Sequence, residues 1–215
     1  KSTVQIKVVG IGGAGGNAVL RMANNSIQGL ELLAINTDVQ ALQGIKHVPT
    51  FAIGPTITEG MGSGGNADLG RKAINESHDQ VSQLLENSDL VFITAGMGGG
   101  TGTGAASVIA DIAKKHGALT IAIVTRPFLF EGDHRQKVSA RGLKQLNSKV
   151  DTLITIDNER LLPAINGKLS IEKAFTLADQ VLRQGVLGIS EIISVPGLIN
   201  VDFADIKTII TKGGR

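Results

Sequence analysis

Two short glycine-rich segments hold the residues best suited to chemistry. Gly12-Gly13-Ala14-Gly15-Gly16-Asn17 and Gly98-Gly99-Gly100-Thr101-Gly102-Thr103-Gly104 each stand between an apolar run and a segment of helical period. Glycine lets a ligand come close to the main chain. A helix start behind it offers unpaired N–H groups and the positive end of a dipole. That combination suits an anion, above all a phosphate. In the second segment, five glycines and two threonines form a nest of N–H donors with two hydroxyls beside it. No lysine stands in either segment, and Gly167-Lys168 is followed by Leu169, so a Walker-type P-loop is excluded.

One such loop alone suits a dinucleotide. Gly10-x-Gly12-x-x-Gly15, with Asp38 in the next strand-to-helix loop, has the spacing of an NAD-binding fingerprint, so an NAD-dependent oxidoreductase is one reading. A second anion loop after another parallel strand fits a polyphosphate held from two sides. The four histidines, His47, His78, His116 and His134, show no metal-ligand spacing, and no Ser-His-Asp triad is recognisable.

The elements that must carry these loops are legible as alternating runs. Strands are predicted at Val4–Val9, Leu32–Asn36, Val48–Ile53, Asp89–Thr94, Leu119–Val124 and Thr152–Ile156. Their apolar stretches are continuous rather than alternating, the mark of a parallel sheet covered on both faces. Helices are predicted at Ala18–Met22, Ala67–Leu85, Gly102–His116, Asp133–Leu146 and Ile171–Ile189. The order predicts an α/β fold, a Rossmann-like parallel sheet with helices on both faces and right-handed crossovers.

Composition narrows the partners. The 215 residues, 42% of them hydrophobic, suffice to bury a substantial core. Lys and Arg number 21 against 19 Asp and Glu, with no basic block, and aromatics are only 3%. Nucleic acid is therefore not expected as a partner. There is no cysteine, which excludes disulfides and thiolate metal sites. No run approaches the length of a membrane span, so direct membrane insertion is not expected. The first residues lack the apolar stretch of a secretory signal.

The second glycine segment resembles the signature of the tubulin/FtsZ family, in its bacterial rather than its eukaryotic form. Further stretches resemble that family in order along nearly the whole chain: Asn36-Thr37-Asp38, Gly60-Met61-Gly62-Ser63-Gly64-Gly65-Asn66, Thr125-Arg126-Pro127-Phe128, Phe130-Glu131-Gly132 with Arg135, and Pro196 through Asp205. The resemblance implies a GTPase of the tubulin/FtsZ type over residues 1–190. It implies a catalytic loop and short helix over 191–215, ending before the family's further C-terminal domain. Ala14 within the glycine run, Asp157 before Asn158 and Ala67 after the third loop depart from the family pattern. None removes a ligand group, so shifts in affinity are expected rather than loss of binding.

Roles follow from the same resemblance. GTP or GDP phosphates would lie on the main-chain N–H groups of residues 13–17 and 98–104, with Thr103 adding its hydroxyl to phosphate or Mg²⁺. Glu131 and Arg135 would serve ribose and phosphate; alone they read as a surface ion pair. Asn158 and Asp179 would contact guanine, whose N1–H and 2-amino group a carboxylate can accept together. Apart from the resemblance, Asn158 reads as a helix cap and Asp179 as a solvated helix face. Phe175, one turn before Asp179, fits base stacking or core packing equally. Asn200, Asp202 and Asp205 are implied to act in hydrolysis, although aspartates at such a place also cap helices.

If Asp179 meets the base, the following helix carries Pro196–Asp205 well away from the same nucleotide. These carboxylates would then act on a neighbour's GTP, and head-to-tail contacts that do not close yield a homopolymer. The implied setting is cell division, in the cytoplasm at the division site or in a plastid stroma, with other division-machinery proteins as partners. A module that binds GTP or GDP without turnover remains an alternative.

Overall fold

The computed structural model describes residues 4–23, 30–164, 170–194 and 203–213. Six strands, β1 (Ile6–Ile11), β2 (Leu30–Asn36), β3 (Thr50–Ala52), β4 (Leu90–Gly96), β5 (Leu119–Arg126) and β6 (Thr152–Asp157), form one sheet. Nine helices accompany them among the described residues: α1 (Gly12–Met22), α2 (Val39–Gln43), α3 (Pro55–Thr58), α4 (Ala67–Glu76), α5 (His78–Leu85), α6 (Thr101–Lys115), α7 (Asp133–Asn147), α8 (Ile171–Ser194) and α9 (Phe203–Gly213). Short 3-10 turns span Leu129–Glu131 and Asn158–Ala164.

All neighbouring strands pair in parallel, in the order β3-β2-β1-β4-β5-β6. The expected α/β sheet is therefore present. The chain builds outward from β1 through β2 to β3, then returns to the other side of β1 and builds outward through β4, β5 and β6. Crossovers leave β1 and β4 in opposite directions, which opens a crevice at their carboxyl ends. Both glycine segments begin there, because one follows β1 and the other β4.

Two apolar layers hold the sheet. On one face Val9, Ile11, Ile93 and Val124 pack against Ile74 of α4, Val81 of α5, and Ile109 and Ile112 of α6. On the other, Val8, Phe92 and Ile123 pack against Val19 of α1 and Leu182 and Val186 of α8, with Phe203 and Ile210 of α9 at the edge. Alternate residues of β1 and β4 thus serve opposite layers, and every residue of β4 from Leu90 to Ala95 is buried.

The boundaries differ from expectation in instructive ways. The first glycine segment and the Thr101–Gly104 half of the second are not loops before the helices but their first turns, since α1 starts at Gly12 and α6 at Thr101, with Gly98–Gly100 leading in. Intrinsic propensity disfavours glycine in a helix by about 1 kcal/mol per residue. Packing overrides it: a methyl group on Gly15 would run into the Thr94 carbonyl, and one on Gly10 into the Gly15 carbonyl. The predicted helix Ala67–Leu85 is two helices, broken at Ser77. The buried Ser77 Oγ accepts the Gly54 N–H at 3.0 Å, and Glu76 accepts the N–H groups of Thr56 and Ile57 at 2.9 and 3.0 Å. The break thereby anchors the start of α3, a long-range demand that helical periodicity does not carry.

Candidate functional site

A cavity of about 420 Å³ opens at the carboxyl ends of β1, β4 and β5, within the size range of small-ligand sites. Its floor is the two helix starts. Neither α1 nor α6 has a side-chain cap or an acidic residue in its first turn. The other helix starts among the described residues carry a side-chain acceptor or an acid: Asp38 accepts the Ala41 N–H at the start of α2, Asn66 the Asp68 and Leu69 N–H groups at α4, and Glu76 the Thr56 and Ile57 N–H groups at α3, while Asp79, Asp133, Glu172 and Asp205 stand in the first turns of α5, α7, α8 and α9. The helix ends left open are those facing the cavity, with orphan N–H groups and positive dipole ends directed into it. The two starts touch, for a methyl on Gly12 would stand 3.2 Å from the Gly102 nitrogen. Gly12 has a φ of +71°, a conformation that favours glycine.

The glycines divide into two kinds. Gly10, Gly15, Gly70, Gly104 and Gly142 are packing positions, where an added methyl would strike backbone or a neighbouring side chain. At Gly13 and Gly99 an added methyl would meet nothing within 4 Å, and φ is not positive at either. Both border the cavity. Neither packing nor backbone geometry calls for glycine there, and a bare main chain at these positions leaves room for a ligand to come close. Gly13→Ala is accordingly expected to keep or slightly raise thermal stability, by up to about 1 kcal/mol, while lowering affinity for a phosphate-bearing ligand. Parallel melting and binding measurements check both signs, and a variant that binds as tightly as the parent removes this reading of Gly13.

One wall comes from the segment after β5. Pro127, Glu131 and Arg135 line the cavity. Arg135 Nη1 meets Glu131 Oε1 at 2.7 Å, and Glu131 Oε2 accepts the Phe128 N–H at 2.8 Å. Glu131 belongs to the 3-10 turn rather than to α7, yet the predicted pair still forms. Gln136 donates to the carbonyls of Pro127 and Phe128 at 2.9 and 3.1 Å. Phe128 and Phe130 stack at 4.8 Å, and Phe175 meets both edge-on at 5.6 and 6.0 Å. Phe175 is 38% exposed and borders the cavity, so its ring both joins the cluster and offers a face to a ligand.

The far wall is rich in acceptors. Asn158 is buried, and its Oδ1 has no hydrogen-bond partner among the described residues. Asp179, from α8, is only 7% exposed. The solvated-face reading of Asp179 therefore does not hold, and Asn158 makes no cap with its side-chain oxygen. Burial pushes the Asp179 carboxyl up to about 6, against the pull of the nearby Arg21 guanidinium and a hydrogen bond from Asn17. That bond, Asn17 Nδ2 to Asp179 Oδ2, is long at 3.3 Å. Two buried acceptors with one weak donor between them call for N–H groups from a ligand.

Of the residues singled out in the sequence, Gly12, Gly13, Ala14, Asn17, Gly99, Thr101, Gly102, Glu131, Arg135, Asn158, Phe175 and Asp179 line this cavity. Gly15, Gly16, Gly98, Gly100, Thr103 and Gly104 are not among its lining residues. Thr103 is turned inward, where its Oγ1 accepts the Gly98 N–H at 2.8 Å and so shapes the nest from behind. Asp38, the candidate ribose acid of an NAD site, caps α2 instead. Asn200 and Asp202 lie outside the described residues. Asp205 is exposed on α9. Ile11, Gly96, Met97, Thr125, Pro127 and Ala178 also line the cavity without having been candidate site residues, and Asn17 was credited through its main chain, whereas its side chain faces Asp179. The signal for that pairing spans 162 positions and is not local.

An α/β domain with a nucleotide-sized crevice at its topological switch point, floored by two helix starts, is a nucleotide-binding protein in class. A family model described as the GTPase domain of the tubulin/FtsZ family matches residues 5–166, and the chain belongs to that family. It is 51% identical over 212 residues to the cell division protein FtsZ of Pseudomonas aeruginosa, covering 99% of this chain and 54% of that protein. The chain thus spans about half the length of this curated relative. An empty FtsZ dimer from M. jannaschii superposes with a TM-score of 0.94 at 46% identity, over 99% of this chain and 62% of the other. The fold also extends to CetZ1 of Haloferax volcanii, described as a GDP-bound monomer, with a TM-score of 0.82 at 24% identity over 99% of this chain and 65% of the other. Family membership replaces the oxidoreductase reading, which the sheet order alone would have allowed.

Proposed function

We propose that the chain binds GTP and GDP across the β1/β4 crevice and forms the nucleotide-bearing part of a division GTPase that assembles head to tail. The observation that carries the reading is the polarity of the cavity. Positive helix ends lie at one side and buried, donor-hungry acceptors at the other, as a guanine nucleotide requires. Guanine presents N1–H and a 2-amino group, which one carboxylate accepts together; adenine lacks that pair. Asp179 and Asn158 would hold the base, Phe175 would cover it, and Arg135 with Glu131 would border the ribose and phosphates. Main-chain N–H groups near Gly13, Gly99 and Gly102 would bind the phosphate oxygens.

The donors also suit Mg²⁺ in one particular manner. Among the described residues no group of three His, Cys, Asp or Glu could cage a metal. Glu131 is committed to Arg135, and Asp179 stands at the base end. Such a cation, which would offset phosphate charge, would arrive with the polyphosphate and take few protein ligands.

Hydrolysis needs a group that aligns water at the terminal phosphate, and Asp205 supports supply from another subunit. Lys207, two residues on, donates to the Gly117 carbonyl at 3.1 Å. Gly117 lies just before β5, at the end of the sheet opposite the cavity. β5 has 8 residues, so this end of α9 stands about 20 Å or more from the chain's own cavity. Asp205, with Asp202 and Asn200, would act on the next molecule. A head-to-tail contact of this kind propagates as a filament. The related structures include an FtsZ dimer and a CetZ2 protofilament. We place the boundary of the GTP-binding part near residue 190, with the hydrolytic loop and α9 after it. The cytoplasm at a division site, with other division proteins as partners, fits this reading. No helix among the described residues is long and apolar enough to cross a membrane.

Mass analysis of nucleotide released from the purified chain tests the binding claim. GTP or GDP is expected; bound NAD, or an affinity for ATP equal to that for GTP, overturns it. Specific GTPase activity is expected to rise with protein concentration and to be lost in Asp205→Ala. Activity per molecule that is independent of dilution would refute the shared site.

A further inference from the structure

Thr37, Ser63 and Thr101 come from three separate segments and meet in one buried chain of hydroxyls. Thr37 Oγ1 lies 2.6 Å from Thr101 Oγ1, and Ser63 Oγ lies 3.0 Å from the same atom. Thr37 is 1% exposed and Ser63 7%. Neither hydroxyl has another hydrogen-bond partner among the described residues, and of the three residues Thr101 alone lines the cavity.

Proton counting gives this chain a direction. A hydroxyl has one proton to donate and two lone pairs to fill. Among the described residues the sole acceptor within reach of the Thr37 proton is the Thr101 oxygen, and the same holds for Ser63. If both donate, the two lone pairs of Thr101 are filled and its own proton has no acceptor among the described residues. That proton must point where an acceptor can enter, which is the cavity. We propose that Thr37 and Ser63 are positioning residues that turn Thr101 into a committed donor toward an anionic oxygen of the bound nucleotide. The two incoming bonds also polarise the Thr101 hydroxyl and strengthen its donation. The segments are locked as well as wired: the Gly62 N–H reaches the Thr37 carbonyl at 3.1 Å, and a methyl on Gly100 would strike Ser63 Oγ. The sequence drew attention to the stretch around Ser63 but assigned its hydroxyl no task.

This inference rests on the nucleotide reading above, and the test separates the two. Affinities of the purified chain for guanosine, GDP and GTP would be measured for the parent, Thr37→Val, Ser63→Ala and Thr101→Val. Thr37→Val keeps the side-chain shape and removes the donor. Each variant is expected to lose about tenfold in GDP or GTP affinity and to keep the parent's affinity for guanosine, which has no phosphate. Combining Thr37→Val with Thr101→Val is expected to cost no more than Thr101→Val alone, because the first acts through the second. Thr37→Ser, which restores the hydroxyl, is expected to recover most of the loss. Equal loss for guanosine, additive losses in the double variant, or nucleotide affinities within twofold of the parent would each overturn the proposal. A parent that binds no guanine compound at all fails the earlier reading instead. If Thr37→Val does not fold, Ser63→Ala and its double variant with Thr101→Val decide the question by the same readouts.

Discussion

Replacing Asp179 by asparagine is expected to lower GTP affinity by about a hundredfold to a thousandfold and to turn the preference toward xanthine nucleotides. The carboxylate is the one group on the far wall able to accept from N1–H and the 2-amino group at once. Each such bond to a charged acceptor contributes about 1.5–3 kcal/mol. An asparagine amide offers one acceptor and one donor. Its NH₂ would face the guanine 2-amino group, donor against donor, leaving both buried without partners. Xanthine carries a carbonyl at that position and restores the match. Titrations with GTP and XTP measure the exchange. A variant that binds GTP as the parent does would remove Asp179 from base recognition.

The same substitution is expected to stabilise the ligand-free chain at neutral pH. Burial raises the Asp179 carboxyl to about 6 from an ordinary value of 3.8. Between those values the folded state holds a proton that the unfolded chain has lost. Stability therefore falls as pH rises through this window, and the cost persists above it. After allowance for solvent screening it amounts to about 1–2 kcal/mol. Asp179→Asn removes that cost, so its melting temperature should exceed the parent's at pH 7.5 and approach it near pH 4. Nucleotide binding to the parent should have the opposite slope, weakening below about pH 6 as Asp179 takes up a proton. A buried carboxylate that destabilises the empty protein and strengthens the complex is the signature of a ligand site rather than of a structural one.

The second large effect concerns the fold. Gly104→Ala is expected to destabilise the chain by several kcal/mol, enough to abolish folding at 37 °C in a domain of ordinary stability. α4 and α6 cross so closely that a methyl at position 104 would strike the Ala67 carbonyl and stand 2.6 Å from the Arg71 nitrogen. These are backbone atoms within a helix, with no rotamer to change. Gly70 faces the same crossing from α4, where its own methyl would strike the Gly100 carbonyl. Thermal melts of Gly104→Ala beside Gly13→Ala make the contrast direct: one chemical change, placed at two glycines of the anion-loop regions, with opposite signs. A Gly104→Ala variant as stable as the parent would mean that the two helices can separate without cost.

Much of this was visible in the residues alone. Short continuous apolar runs such as Leu90-Val91-Phe92-Ile93, bounded by polar and glycine residues, fit strands of a sheet covered on both faces, and each run proved to be a strand within a few positions. The two glycine segments, placed after strands, announced anion chemistry because helix starts and free N–H groups are local properties. Asn158 and Asp179 came from the resemblance rather than from any pattern of their own. What the chain could not disclose locally is which glycine does what. Gly13 and Gly104 are the same residue type in similar neighbourhoods; one opens to a ligand and the other admits a helix.

Local sequence alone determined the strands, most of the helices and the presence of two glycine-rich helix starts after strands, because propensity and periodicity act over a few residues. Tertiary structure decided the break at Ser77, the inward turn of Thr103, the meeting of Asn17 with Asp179 and the hydroxyl chain at Thr101. Each joins segments that are distant in sequence, and the joining is set by how two apolar layers pack on one sheet. No local window contains that information, since the energy of such a contact depends on a partner whose position the whole core determines.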